Sequence, residues 1–98
     1  MTLEVRLRPE AELDLADAAL WYEAQRSELG QQFLDEIVSV FSSIAEAPLL
    51  YPVVHRKTRR ALMHRFPFGI YYQVEAVAVI VLAVMHGSRN PHRWKKRT

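Results

Sequence analysis

Two stretches of the chain carry side chains that could bind an anion or transfer protons. Residues 55–65, "HRKTRRALMHR", and residues 86–97, "HGSRNPHRWKKR", each hold five lysines or arginines and two histidines. Arginine and lysine hold phosphate and carboxylate groups, and histidine exchanges protons near neutral pH. If the two clusters share one sheet, we expect them to line a single basic groove.

Cleavage of RNA without a metal is one reaction that such a groove could perform. The 2′-hydroxyl attacks the adjacent phosphate, a base takes its proton, cations stabilise the phosphate charge and an acid protonates the leaving oxygen. The candidates within the clusters are His86 and His64 as proton carriers, and Arg60, Arg65 and Arg89 as charge stabilisers. Purely structural roles stay open, because a histidine at a strand end is often only solvated and arginines often protect a sheet edge.

Signals for other site chemistries are missing. The sequence has no cysteine, which excludes disulfides, thiolate nucleophiles and cysteine-based zinc sites. It contains no glycine-rich phosphate loop, no GxSxG motif and no HExxH motif. The four histidines show no compact ligand spacing on a helix. We therefore expect no metal and no cofactor.

Length and composition predict one small domain. The chain has 98 residues, half of them hydrophobic, which suits a single core covering residues 1–98. Charges are scattered from Glu4 onward, so no secretion signal is visible. The longest apolar run, residues 77–85, is about half of what a membrane-spanning helix needs. With no cysteine either, we expect a cytoplasmic protein without a membrane partner.

The two halves of the sequence differ in charge. Residues 1–48 hold ten acids against three bases, a net of −7, and residues 49–98 hold ten bases against one acid, a net of +9. If the halves occupy different faces, one face has a positive potential that attracts phosphate or an acidic protein. Pairing of the halves across the fold would cancel that potential.

Hydrophobic periodicity predicts the order β-α-α-β-β-β. Alternation in residues 3–8 indicates a strand, and residues 9–26 and 31–47 indicate two helices separated by Gly30. Residues 48–58 contain two prolines and no clean period, which predicts a loop. Strands are expected at residues 59–66, 69–75 and 77–86. The predicted fold class is α+β: a mostly antiparallel sheet with an N-terminal helical hairpin on one face.

The aromatic residues are expected mainly in the core. This applies to Trp21, Tyr22, Phe33 and Phe41. Tyr71 and Tyr72 should point to opposite faces of a strand, so at most one should be buried. Trp94 could stack on a base, but we favour an interpretation in which it tucks back onto the sheet.

Four sequence segments and the order of the elements resemble the RelE/ParE superfamily of toxins from bacterial type II toxin-antitoxin modules, often called plasmid stabilisation proteins. They are "RPEAELDLADAALWYE", "PLLYP", "RRALMHRFPFGIYYQV", "VLAVMHGSRNP" and the element order itself, and together they span nearly the whole chain. The resemblance implies a small cytoplasmic toxin that an antitoxin, encoded alongside, binds and neutralises.

The family contains two classes of target, and both stay open here. RelE-like members cut mRNA on the ribosome without metal, whereas ParE-like members inhibit DNA gyrase and are not nucleases. RelE-like enzymes add further lysines in mid-chain and a tyrosine near the C-terminus, whereas this chain has only Lys57 in mid-chain and no tyrosine beyond Tyr72. The hairpin length and the "YYQV" strand are more similar to ParE. A third alternative is a non-toxic degenerate member that only binds its antitoxin.

The resemblance implies roles for Lys57, Arg60, Arg65, Arg89 and His86, and the two basic clusters suggest the other site residues. If the chain is a ribonuclease, catalysis would involve His86, Arg89, Arg65 and Arg60. A basic groove for the antitoxin or the target would involve Lys57, Arg59, Arg60, Arg65, Tyr72, Arg89, Arg93, Trp94 and Lys95. We expect the antitoxin to offer an amphipathic segment whose acids face Arg60, Arg65 and Arg89 and to block the groove by occupying it.

Overall fold

A computed structural model describes residues 2–98 and contains eight elements. In chain order they are β1 (Glu4–Leu7), α1 (Pro9–Gln25), α2 (Leu29–Glu46), β2 (Val53–His55), β3 (Thr58–Leu62), β4 (Phe68–Val74), β5 (Ala78–His86) and α3 (His92–Lys95). The predicted α+β fold class is confirmed, with β2 and α3 as additions.

The five strands form one sheet in the order β1-β5-β4-β3-β2. The pairs β5–β4, β4–β3 and β3–β2 are antiparallel, and β1 joins β5 in parallel. Strand β5 is therefore flanked on both sides, as its continuous apolar sequence indicates. Its partner β1 reaches only as far as Val81.

Both faces of the sheet are covered. On one face the α1–α2 hairpin packs Phe33, Ile37 and Ile44 against Val79 and Val81, all within one buried cluster. On the other face a smaller cluster contains Tyr71, Ala83, Met85 and Trp94, the last supplied by α3. The predicted return of Trp94 to the sheet is confirmed: its ring stacks on Tyr71 with centroids 4.4 Å apart.

This second cluster corrects one expectation. Tyr71 and Tyr72 do point to opposite faces, but both are buried because Trp94 covers the face that sequence periodicity leaves open. The expectation for Trp21 is also wrong: this residue of α1 is 58% exposed. Tyr22, its neighbour, takes the inward position and stacks on Phe33.

The connection between the helices differs from the prediction at Gly30. The chain turns at Glu28, which adopts a left-handed backbone with φ 71°, and Gly30 already lies inside α2. The Glu23 carboxylate accepts hydrogen bonds from the backbone N–H groups of Glu28 and Gly30, which satisfies two donors at the start of α2. Gly30 is required for close approach: a Cβ there would lie 2.5 Å from the carbonyl oxygen of Ala19 in α1.

Two further boundaries differ from the predicted ones. Residues 53–55 form the edge strand β2 inside the predicted loop, since both prolines precede the strand and the Pro52 carbonyl can still accept the Arg60 N–H. Strand β3 ends at Leu62 instead of residue 66, because the Glu36 carboxylate on α2 accepts hydrogen bonds from the N–H groups of His64 and Arg65. These bonds draw the chain away from the sheet.

Within residues 2–98, none of the helices has the length and apolar character that crossing a membrane requires.

Gly30→Ala is expected to destabilise the protein by about 1–3 kcal/mol, because the new methyl group must separate α1 from α2. Gly87→Ala is the matched control, since a Cβ there meets only the Pro67 carbonyl oxygen at the ordinary distance of 3.6 Å. Urea unfolding of both variants checks this. Equal stabilities would contradict the close packing of the two helices.

Candidate functional site

A cleft of about 890 Å³ lies between α1 and the segment that follows β5. Residues from α1 form one wall, and residues from the β5 end and the following segment form the other. The lining residues are Asp14, Asp17, Ala18, Trp21, Tyr22, Phe68, Val84, Met85, His86, Ser88, Arg89, Asn90 and Arg93. The cleft thus combines an acidic and aromatic wall with a basic one.

The C-terminal tail is fixed beside this cleft by an ion pair. The Arg97 guanidinium donates to the Asp14 carboxylate at 2.6 and 3.3 Å, and both side chains are only 17% exposed. Arg97 also donates to the carbonyl of Leu82, and the Arg8 side chain donates to the carbonyl of Arg97. The last cation of the tail is therefore a structural residue, and the two oppositely charged halves of the sequence do pair at this point.

His86 occupies the sheet end of the cleft. Its ring lies edge-on to Phe68, with centroids 5.4 Å apart. Its Nδ1 accepts a hydrogen bond from the backbone N–H of Ser88 at 3.0 Å, and the Ser88 hydroxyl is 2.8 Å from the same nitrogen. Because an N–H donates to Nδ1, the proton of the neutral ring lies on Nε2.

Three of the predicted site residues meet in the cleft: His86, Arg89 and Arg93. Arg89 follows a turn in which its N–H donates to the His86 carbonyl, and Arg93 is held by the short helix α3. These two guanidinium groups and the imidazole can together receive a carboxylate or a phosphate.

Arg60 lies on the other face of the sheet. It pairs with Tyr71 across β3 and β4, and its side chain runs over Gly69, where a Cβ would lie 3.2 Å from the Arg60 Cδ. The Arg60 Nε is buried and has no hydrogen-bond partner among residues 2–98.

Arg59 and Arg65 are engaged in contacts within the fold. The Arg59 guanidinium donates to the carbonyls of Leu49 and Tyr51, which holds the loop after α2. Arg65 donates to the Gln32 side chain on α2 and lies over the ring of Phe66.

The remaining basic residues of the predicted groove lie elsewhere. Lys57 occupies the turn between β2 and β3, at the opposite edge of the sheet from β1. The Lys95 ammonium lies 5.8 Å from the centre of the Trp94 ring, and Trp94 itself is only 5% exposed. The predicted residues therefore do not all line one groove.

Tyr72 was expected at the groove and is fully buried, which removes it from any contact surface of the folded chain. Its hydroxyl donates to the carbonyl of Pro48 at 2.6 Å, and its ring lies edge-on to Tyr51. Burial raises the pKa of Tyr72 to about 12, while the positive charge of Arg59 has a smaller lowering effect.

Sequence reasoning missed the α1 wall: Asp14, Asp17 and Trp21. Helical spacing could have placed these three on one face, since they lie three, four and seven residues apart. Their apolar and acidic mixture, however, resembles an ordinary solvated helix face. The partner that marks Asp14 as structural, Arg97, is 83 residues away in sequence.

Comparison with known families decides the identity of the fold. Residues 5–91 match the family described as "ParE toxin of type II toxin-antitoxin system, parDE". The chain belongs to the ParE toxin family. No curated protein sequence matches the chain significantly.

Solved structures share the ParE-type fold. A chain of the chromosomal ParDE toxin-antitoxin system from P. aeruginosa aligns with a TM-score of 0.77 and 16% identity, over 87% of this chain and 96% of its own length. A chain of the toxin-antitoxin complex RelBE2 from Mycobacterium tuberculosis aligns with a TM-score of 0.64 and 20% identity, over 88% and 99%. At these identities the likeness is one of fold.

The raised pKa of Tyr72 predicts a loss of stability in alkali. Below about pH 10, the ordinary ionisation point of tyrosine, its contribution is complete. As the pH rises from there to about 12, the unfolded chain releases a proton that the folded ParE chain retains, so the free energy of unfolding falls, on the order of 2 kcal/mol in all.

Urea unfolding of the wild type and Tyr72→Phe between pH 8 and pH 12 checks this. Tyr72→Phe also loses the hydrogen bond to Pro48, which costs about 1 kcal/mol at every pH. The wild type should therefore lose its advantage as the pH rises and become the less stable of the two proteins by about pH 12. A constant difference between them across this range would contradict the assigned burial of the hydroxyl.

Proposed function

We propose that this ParE-family chain is a type II toxin that arrests growth by binding DNA gyrase and is neutralised by an antitoxin encoded alongside. Membership of the ParE toxin family over residues 5–91 supports the toxin assignment. The fold shared with chains of a ParDE system and a RelBE2 complex supports an antitoxin partner.

The hydrogen bond at His86 is the observation that favours a binding mechanism over RNA cleavage. A general base in RNA cleavage needs a ring nitrogen whose lone pair faces the substrate. Here Nδ1 already accepts the Ser88 N–H, and Nε2 carries the proton of the neutral ring. The imidazole is thus arranged as a hydrogen-bond donor, which suits the recognition of an acceptor on a partner and not the removal of a proton.

The positions of the arginines support the same choice. Stabilising the charge on a phosphate during cleavage requires several cations aimed at one place. Arg60 lies on the face away from the α1–α2 hairpin, Arg65 is bonded to Gln32 and Arg89 lies in the cleft. The three guanidinium groups therefore do not converge on one place where a phosphate could be cleaved.

A metal-free ribonuclease is the second candidate. The observation that favours it is the meeting of His86, Arg89 and Arg93 in one cleft. Its mechanism would require the Ser88 contact to break so that the ring can turn.

His86→Ala separates the two mechanisms. Loss of a general acid or base costs about 10²–10⁴ in rate, whereas loss of one side chain from a binding surface should weaken inhibition less than about tenfold. The test is inhibition of DNA supercoiling by purified gyrase, titrated with wild type, His86→Ala and the exposed control His92→Ala. We expect supercoiling to be inhibited by all three proteins.

Pulse labelling of bacteria after induced expression distinguishes gyrase inhibition from the alternatives. An early fall in thymidine incorporation with translation continuing agrees with gyrase inhibition. A prompt fall in methionine incorporation that His86→Ala abolishes and His92→Ala retains would contradict it and favour the ribonuclease. Growth without arrest from the wild-type protein would indicate a member that only binds its antitoxin.

A further inference from the structure

We infer that the toxin contacts its protein target through two leucines, Leu49 and Leu50, on the loop between α2 and β2. This inference rests on the proposed function, in which the target is DNA gyrase, and adds to it a contact surface away from the cleft. The partner surface that fits these side chains is an apolar pocket bordered by acidic residues.

Both leucines extend into solvent. Leu49 is 67% exposed and Leu50 is 77% exposed, and Val53 at the start of β2 is 51% exposed. A single exposed leucine is ordinary in a folded protein. Neighbouring apolar side chains that together face water are instead typical of a surface that another protein covers.

Val53 lies beside the loop. It is the register partner of Arg59 on β3, and directly opposed residues of antiparallel strands share one face of the sheet. From that face the Arg59 guanidinium reaches the carbonyls of Leu49 and Tyr51. The three exposed side chains therefore lie next to one arginine and form one surface, the leucine patch (Leu49, Leu50 and Val53).

The backbone of the loop is held in place. Of the six carbonyls in residues 47–52, five accept hydrogen bonds: Ala47 from the Leu50 N–H, Pro48 from the Tyr72 hydroxyl, Leu49 and Tyr51 from Arg59, and Pro52 from the Arg60 N–H. Because the loop is already ordered in the free protein, association costs little further conformational entropy.

These hydrogen bonds do not explain why the loop carries leucine. They use backbone carbonyls, so polar residues at positions 49 and 50 would allow the same conformation. Apolar side chains left in water gain nothing for the fold, whereas a partner that covers them removes their surface from water, which is favourable. The leucines therefore fit a role in binding better than a role in folding.

The charges near the patch indicate what kind of partner fits. Arg56 and Lys57 are exposed in the turn that follows β2, and neither forms an ion pair with another of the residues 2–98. Residues 42–59 contain three bases and one acid, Glu46. This excess attracts an acidic partner surface. A two-fold contact between copies of the chain would instead bring the same cations together, which disfavours self-association.

The leucine patch and the cleft occupy different parts of the molecule. Strand β2 lies at one edge of the sheet, and β3 and β4 separate it from β5. None of the three patch residues lines the cleft. Substitutions in the patch should therefore leave the cleft intact.

The double variant Leu49→Ser and Leu50→Ser tests the patch in the full-length toxin. Inhibition of DNA supercoiling by purified gyrase should require at least about tenfold more of this variant than of the wild type. The matched control is Leu62→Ser with Val77→Ser, because these residues are 60% and 68% exposed and lie outside both the patch and the cleft. The control should inhibit as the wild type does.

Photocross-linking provides a second readout that does not depend on the stability of the serine variant. A p-benzoylphenylalanine that replaces Leu50 should form an adduct with a gyrase subunit on irradiation. The same group in place of Val77 should form none, since Val77 lies in the turn between β4 and β5.

Charge reversal tests the acidic border of the partner surface. Lys57→Glu should weaken inhibition several-fold at low ionic strength, and the difference from the wild type should shrink as salt is added. Lys96→Glu is the matched control, since Lys96 is exposed in the tail and lies outside the patch. Equal effects of the two variants would contradict a positive border that acts at the patch.

Failure of this inference can be told from failure of the proposed function. If the wild type and the Leu49→Ser, Leu50→Ser variant inhibit gyrase equally, or if the adduct at residue 50 forms only with the antitoxin or a second toxin, the leucine patch does not contact the target and the proposed function stands. If the wild type does not inhibit gyrase, the proposed function fails and this inference fails with it.

Discussion

One ion pair, between Asp14 on α1 and Arg97 near the C-terminus, holds together the end of the molecule that contains the cleft. The Asp14 carboxylate accepts from Arg97 and from the Val84 N–H, so a single side chain joins the first helix, the central strand and the tail. Because the tail is held there, α3 can place Trp94 over Tyr71 and Arg93 at the cleft. The basic tail is thus part of the fold, and only some of its charge is left for a partner.

Local patterns in the sequence were sufficient for the architecture. Alternation in residues 3–8, two helical segments and the uninterrupted apolar run of β5 fix the α+β class and the central strand. The predicted element boundaries were wrong where a side chain distant in sequence forms a hydrogen bond. Glu36 on α2 accepts from the backbone just after β3, and Glu23 on α1 accepts from the backbone of the turn that precedes Gly30. Periodicity within a segment carries no information about such contacts.

The candidate site was only partly predictable for the same reason. Residue type identified His86, Arg89 and Arg93, which do meet. It could not separate them from Arg59, Arg65 and Tyr72, whose polar groups are bonded within the fold. Nor could it reveal the cleft beside the end of β5, where β1 no longer pairs with β5 beyond Val81 and α1 forms the opposite wall. The Ser88 contact that sets the tautomer of His86 likewise depends on the turn geometry.

The central claim is that Asp14 and Arg97 hold the tail to the helix, and a double-mutant cycle measures this directly. The free energies of unfolding of the wild type, Asp14→Ala, Arg97→Ala and the double variant should give a coupling of about 1–3 kcal/mol, because the pair is largely shielded from water. The same cycle on the exposed pair Glu4 and Arg6 should show no measurable coupling. Additive losses at Asp14 and Arg97 would contradict the account, because the tail would then be held by other contacts.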